Sequence, residues 1–454
     1  MAGMVREGRV SPVELLTAHL DQISRENPRI NAFTTVLAEE ALAAARRAES
    51  AAARGEPLGM LHGVPVTVKD CFDVAGLPTL CGSRLRLGHR AAHDATVVAR
   101  LKTEGAIVLG KTNTPEFLGS YETDNYVTGR TNNPWDAERT PGGSSGGEAA
   151  AIAAFCSPGG IGSDGGGSIR MPAHFCGVAG LKPTPGRVSG AGHFPFPSNP
   201  SGMLYSPGPM ARTAQDLKLL FAVLAGYDAR DPLSAPVPLR VPTARGLRAG
   251  LVPRFYDVPV QPEVAGAVDQ AARLLESAGI PVEPFEPRGL ERAPNLWWFF
   301  FGQLPAPFTR RLFEGRENEV HWTATEALLR AEKDPPPTGE QVVAQFAARD
   351  AMRAALLRQM EDVPLLLTPA CGIPAFRHGE RRWPAGEKSI GLFQAMMPSV
   401  IWNVLGFPAV SVPVTFTPEG LPLGVQLVGR PWEDELLLEA AVRLEEARGP
   451  VLLR

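Results

Sequence analysis

The sequence predicts an α/β fold around a largely parallel central sheet. Two observations carry that reading. Helical segments alternate with short apolar strands in the N-terminal third, and the hydrophobic period shifts from about 3.6 to about 2 at each change. With 454 residues the chain can bury a large core. The pattern alone leaves open a single large unit or two lobes.

Taken in order, Ser11-Pro12-Val13-Glu14 is a capping box with proline at the first helical position. Leu15, Leu16, Leu20 and Ile23 follow at helical spacing. An alanine-rich helix runs from Ala38 to Ala53 and stops at Gly55. Val64, Val66 and Val68 then alternate with Pro65, Thr67 and Lys69, a strand that puts Lys69 on the face opposite the valines. A helix over Ala95 to Glu104 leads into a strand at Ala106 to Leu109. Gly147 to Phe155 is small and helical, and Thr213 caps a helix beginning at Ala214. Proline-rich residues 228–245 form a connection. Helices are expected near 262–278, 320–332 and 339–361, and strands at Pro364–Thr368, Ala409–Val414 and Gly424–Leu427.

A net charge of −3 and the absence of a basic stripe argue against nucleic-acid binding. The first residues lack an apolar signal core and no run reaches membrane-spanning length, so no membrane association is expected. Five sparse cysteines without metal-type spacing read as reduced cytoplasmic thiols, and no metal site is expected. Lysines number only 7 against 38 arginines, which makes each lysine stand out.

Chemistry concentrates in two glycine-serine clusters, Pro141–Gly147 and Gly162–Arg170. Three readings compete. Gly160-Ile161-Gly162-Ser163-Asp164-Gly165 matches a dinucleotide fingerprint, but no acidic residue follows about 20 positions on. Gly142-Gly143-Ser144-Ser145-Gly146 matches the nucleophile elbow of α/β-hydrolase esterases, with Ser144 as nucleophile, yet it ignores the second cluster. The third reading uses both. Ser168 presents a hydroxyl, the Gly165, Gly166, Gly167 and Ser168 amides form an oxyanion nest, Ser144 relays a proton, and Lys69, if neutral, accepts it. Ser145 bonds either the loop or these three residues, and Asp164 pairs with Arg170 to fix the loop. Cys176 is a packed thiol, and Trp297–Phe301 belongs to core packing before an acyl pocket.

These segments resemble the amidase signature family. The lysine segment is Gly63-Val64-Pro65-Val66-Thr67-Val68-Lys69-Asp70, and the two clusters follow at the family's separations. Gly110-Lys111-Thr112-Asn113, Cys176–Pro183, Gly406-Phe407-Pro408-Ala409 and Leu421–Leu427 agree as well. The resemblance spans most of the chain and is weakest from about 220 to 360.

It implies one α/β/α domain over 1–454 with a mixed, mostly parallel sheet. Within it the catalytic core covers about 60–215, a variable pocket region about 220–360 and returning C-terminal strands about 363–446. It further implies a triad of nucleophile Ser168, bridging Ser144 after a cis peptide from Gly143, and base Lys69, with no cofactor. Gly165 stands where the family usually has a larger residue, which implies a looser loop. The expected activity is hydrolysis of linear carboxamides by a monomer or homodimer acting on a small-molecule substrate. The glutaminase subunit of a tRNA-dependent amidotransferase ranks second, because the Asp-Gly-Val-Arg-Tyr-Gly stretch shared by such subunits is missing.

Overall fold

The computed structural model describes residues 1–196, 201–241 and 246–450. Thirteen strands are found among them: β1 Phe33–Val36, β2 Pro65–Lys69, β3 Ile107–Thr112, β4 Gly159–Asp164, β5 Ala179–Lys182, β6 Ser206–Ala211, β7 Ala249–Leu251, β8 Val282–Pro284, β9 Leu365–Pro369, β10 Arg382–Ala385, β11 Lys388–Gly391, β12 Ala409–Phe416 and β13 Pro422–Gly429. Eleven make one sheet in the order β1-β3-β2-β4-β6-β5-β12-β13-β9-β7-β8, and β10 and β11 form a separate hairpin. The sheet is mixed, as expected. Its parallel pairings, β3-β2, β2-β4, β9-β7 and β7-β8, lie toward the two ends. The pairings from β4 through β6, β5, β12 and β13 to β9 are antiparallel, a larger share than helix–strand alternation predicts.

Alternation along the strands divides the core between two faces. Leu365 and Leu367 of β9, Val410 and Val412 of β12, and Val425 and Leu427 of β13 join one apolar cluster. Their neighbours Leu366, Ala409 and Val428 join another. The first is closed by helices Thr96–Thr103, Ala214–Leu224, Pro262–Ser277 and Asp434–Arg448. The second is closed by Ala293–Trp298, Gly339–Gln359 and Leu392–Val404. Three layers result, helices on both sides of one sheet.

On β2, Val66 and Val68 face the first cluster, so Thr67 and Lys69 turn to the opposite side. That side carries two short helices, Gly146–Ala153 and Arg170–Cys176, which begin at the C-terminal ends of the two glycine-serine clusters. β4 between them has no counterpart among the expected strands, because Gly-Gly-Ile-Gly offers almost no side-chain period. The proline-rich connection expected at 228–245 falls partly outside the described residues, since 242–245 are among those left out.

Ser11 caps helix Pro12–Ile30 as predicted: its hydroxyl accepts from the Glu14 amide at 3.0 Å and the Glu14 carboxylate accepts from the Ser11 amide at 2.9 Å. Ser11→Ala should therefore lower unfolding stability by about 1 kcal/mol, read as an earlier urea midpoint, while Ser11→Asp should hold the native midpoint.

Candidate active site

Lys69 ends β2 with its side chain fully buried. Its Nζ lies 2.8 Å from Ser144 Oγ, 3.1 Å from Ser163 Oγ and 3.3 Å from the Ser163 carbonyl. Ser144 follows a cis peptide from Gly143 and is 1 % exposed, whereas Ser168 keeps 9 %, so of the three Ser168 faces the solvent side most. A neutral amine has two N–H donors and one lone pair. Ser163 offers two acceptors, which leaves the lone pair for the Ser144 hydroxyl proton. Three neighbours thus fit a neutral lysine without a surplus donor.

The two clusters are stitched together by Ser145. Its amide donates to the Ser168 carbonyl at 3.0 Å, and its hydroxyl donates to the Ser163 carbonyl at 3.3 Å. Ser145 thus bonds the loop through its hydroxyl and the Ser168 backbone through its amide. Asp164 and Arg170 pair as expected, both fully buried, with Nε–Oδ2 and Nη2–Oδ1 contacts of 3.0 Å each. Asp164 also accepts from the Gly167 amide at 2.7 Å and the Ile169 amide at 3.1 Å. The Gly167 N–H is therefore occupied. Among the described residues the Gly165, Gly166 and Ser168 amides have no acceptor in the chain, and these three are the open donors of the loop.

Side chains from other elements wall the loop. Tyr121 donates its hydroxyl to the Gly166 carbonyl at 2.9 Å, and Trp297 Nε1 donates to the Gly165 carbonyl at 2.7 Å. A Cβ on Gly165 would lie 2.6 Å from the Tyr205 ring, and one on Gly166 would lie 2.5 Å from Trp297. Gly165 is thus a packed position and not a loose one: Tyr205 fills the volume that a larger residue would take. Tyr205 stacks on Phe301, Phe301 stacks on Trp297 at 4.5 Å, and Trp297 adjoins Phe393. Trp297 and Phe300 are buried in the core, as expected, while Phe301 and Trp298 are half-exposed. An open groove of about 1050 Å³ lined by Tyr126, Trp298, Trp322 and Arg330 lies beyond this wall and away from Lys69.

Electrostatics at Lys69 shift it toward the neutral form. Burial lowers its pKa, against the pull of Cys71, Cys81, Asp164 and Glu148. Those opposing charges are largely switched off. Burial pushes the Cys71 thiol up to about 11 and lifts Cys81 well above its ordinary value, so both stay uncharged at neutral pH. Burial also acts upward on Asp164, but the Arg170 guanidinium overrides it, holds the carboxyl well below the usual range and neutralises it locally.

The family described as Amidase matches residues 14–438. The chain belongs to the amidase signature family. A Glutamyl-tRNA(Gln) amidotransferase subunit of Chloroflexus aggregans is 36 % identical and covers 95 % of this chain and 92 % of its own. A chain from a vestigial protein complex that bears on the origins of an s-triazine catabolic enzyme superposes with a TM-score of 0.91 at 30 % identity, covering 100 % and 98 %. A bacterial aryl acylamidase gives 0.86 at 29 % identity, covering 98 % and 95 %.

For this chain the comparisons overturn one expectation. The sequence reading ranks amidotransferase partner subunits below a monomer or homodimer, yet the curated relative matched over nearly the whole chain is named as one such subunit. A short missing motif weighs less than similarity spread along the chain. Among the described residues no helix is long and apolar enough to cross a membrane.

Sequence reasoning passes over Ser163, which supplies two of the three contacts to Lys69 Nζ. Its position five residues before Ser168 is visible in the sequence, but the strand that aims it is not. Arg170 makes further bonds to the Ser399 carbonyl at 3.1 Å, Gln426 Oε1 at 2.8 Å and Asn403 Oδ1 at 2.5 Å. Lysine cannot reproduce five contacts from a rigid fork. Arg170→Lys should therefore destabilise the protein by about 3–5 kcal/mol, seen as a lower urea midpoint, as expected for a broken buried pair.

Proposed function

We propose that this chain cleaves a carboxamide C–N bond through a Ser168 acyl-enzyme, and does so as the amide-cleaving subunit of an amidotransferase-type assembly. The carrying observation is the placement of the buried Lys69 amine within hydrogen-bond reach of Ser144 and Ser163. Ser168 Oγ attacks the amide carbon while its proton passes to Ser144, whose own proton passes to the Lys69 lone pair. Negative charge on the carbonyl oxygen meets the open amides of Gly165, Gly166 and Ser168. As the C–N bond breaks, Lys69 returns the proton through Ser144 to the departing nitrogen. Water then attacks the acyl ester by the same route, releasing the carboxylic acid and restoring Ser168. Gly143, Asp164, Ser145 and Arg170 hold these groups in place, and no step calls for a cofactor.

The name and full-length coverage of the curated relative support the assembly reading, with glutamine as ammonia source. A second reading concerns the acyl group alone. The stacked wall of Tyr205, Phe301, Trp297 and Phe393 beside the loop favours an apolar or aryl acyl group over a zwitterionic amino acid.

A panel containing glutamine, aliphatic amides and anilides separates these readings, with Ser168→Ala as the blank. Ammonia released from glutamine alone, together with partner subunits retained on purification, supports the assembly; turnover confined to anilides supports the second reading. Fluorophosphonate labelling should modify Ser168, and an adduct on Ser144 would refute the assignment of the nucleophile. Because protonated Lys69 cannot accept a proton, kcat/KM should fall as pH drops through its depressed pKa; a flat profile down into the carboxylate range excludes lysine as base.

A further inference from the structure

One buried acid next to Lys69 has no part in the chemistry above. Glu148, on helix Gly146–Ala153, is completely buried. Its Oε2 accepts from Thr112 Oγ1 at 2.7 Å, and its Oε1 lies 2.5 Å from Thr67 Oγ1. Thr67 Oγ1 is 3.0 Å from Ser157 Oγ, which donates to the Gly159 carbonyl at 2.9 Å. Gly160 makes the room, for a Cβ there would come within 2.2 Å of Oε1.

The protons of this chain can be counted. Three contacts join Glu148 Oε1, Thr67 Oγ1, Ser157 Oγ and the Gly159 carbonyl, but the two hydroxyls supply only two protons. Ser157 spends its proton on the carbonyl. If Thr67 donates to an ionised Glu148, the Thr67–Ser157 contact holds no proton. If Glu148 carries a proton on Oε1, every contact is filled: Glu148 donates to Thr67, Thr67 to Ser157 and Ser157 to the carbonyl. The Thr112 hydroxyl then meets Oε2 as the carbonyl oxygen of a neutral acid.

The same count bears on Lys69. Neutral Lys69 with protonated Glu148, and charged Lys69 with ionised Glu148, hold the same number of protons. Lys69 accommodates either state, because a third N–H would simply point at Ser144 Oγ. Only the Glu148 chain distinguishes them. We propose that Glu148 is stored as a neutral carboxylic acid that completes this hydroxyl chain, and that its neutrality leaves Lys69 without a proton. Glu148 is thus a positioning residue for the base, an inference that rests on Lys69 acting as base.

The surroundings agree. Burial pushes Glu148 up to about 7, against Thr67, Thr112 and Lys69. The other charged groups on elements packed against this helix are already matched. Lys111 of β3 pairs with Asp70 at 2.6 Å, and Asp164 of β4 pairs with Arg170. Burial keeps His174 of helix Arg170–Cys176 below its ordinary value and hence neutral.

Infrared difference spectra of the native protein minus Glu148→Gln test the storage without reference to turnover. At neutral pH the native protein should show a deuterium-sensitive protonated-carboxyl band that the variant lacks; a pair of carboxylate bands in its place overturns the proposal. Ser157→Ala provides a second arm in a small, conservative change. Without Ser157 the Thr67 proton is free to serve Glu148, so the band should disappear at a lower pH than in the native protein, and an unchanged titration overturns the chain. Glutamine reproduces the donor and acceptor pattern of the neutral acid, so the acid-limb pKa of kcat/KM should stay at its native value in Glu148→Gln. A downward shift of about 1–3 units would mean that a native carboxylate had been holding the Lys69 proton, and overturns the link. If Lys69 is not the base, the acid limb vanishes in both proteins while the infrared bands remain.

Discussion

The conformation of the Ser168 loop rests on the buried pair of Asp164 and Arg170. Two charges withdrawn from water cost several kcal/mol each unless many hydrogen bonds surround them. Here the bonds come from separate parts of the chain. Asp164 collects the amides of Gly167 and Ile169, the Arg170 guanidinium and the Asn403 side-chain amide. Arg170 reaches back to Ser399 and Asn403 on one helix and to Gln426 on β13. Each bond that lowers the cost of burial also fixes the loop. The pair decides which amides are open, too, since the Gly167 hydrogen is committed to Asp164 and its neighbours are left free.

Neutralising Asp164 has a second consequence. A bare carboxylate in its place would favour the protonated form of Lys69. With its charge answered by Arg170, and with the Cys71 and Cys81 thiols kept protonated by burial, the environment of Lys69 is crowded yet nearly uncharged. Dehydration lowers the lysine pKa against the pull of Cys71, Cys81, Asp164 and Glu148. Lysine suits this task because its charge can be removed by burial, whereas arginine stays charged. The site works through the placing of single protons, and a count of donors and acceptors says more about it than the net charge does.

Much of this is legible in the sequence. Alternation of valines with Thr67 and Lys69 puts the lysine on the correct face of β2, and the capping signals at Ser11 and Thr213 mark real helix starts. Spacing brings Ser144 and Ser168 into one reading, and the Asp164–Arg170 pair can be foreseen. What escapes has a common physical cause. β4 is too rich in glycine to show a period, so neither the direction of Ser163 nor the use of the Gly167 amide can be read from it. Tyr205 closes over Gly165 from a distant part of the chain, a contact that only the fold creates. The rank of partner subunits is misjudged because one absent hexapeptide is a local signal, whereas similarity to a relative named as such a subunit runs along nearly the whole chain.

Chemistry and recognition occupy different kinds of structure in this molecule. Lys69, Ser144, Ser163 and Ser168 sit at or near strand ends and helix starts on the sheet. The aromatic wall comes from elsewhere: helix Ala293–Trp298, the π-helical turn Phe299–Gln303 that follows it, and helix Leu392–Val404. This wall touches the loop only through side chains, a ring against Gly165 and an indole against Gly166. Replacing such side chains reshapes the acyl site without moving the amides or the lysine. That separation explains how one fold serves both a protein named as an aryl acylamidase and one named for its place in an amidotransferase. In this chain Gly165 carries no side chain and the Tyr205 ring lies where one would be, so the volume beside the loop is set by a residue outside it.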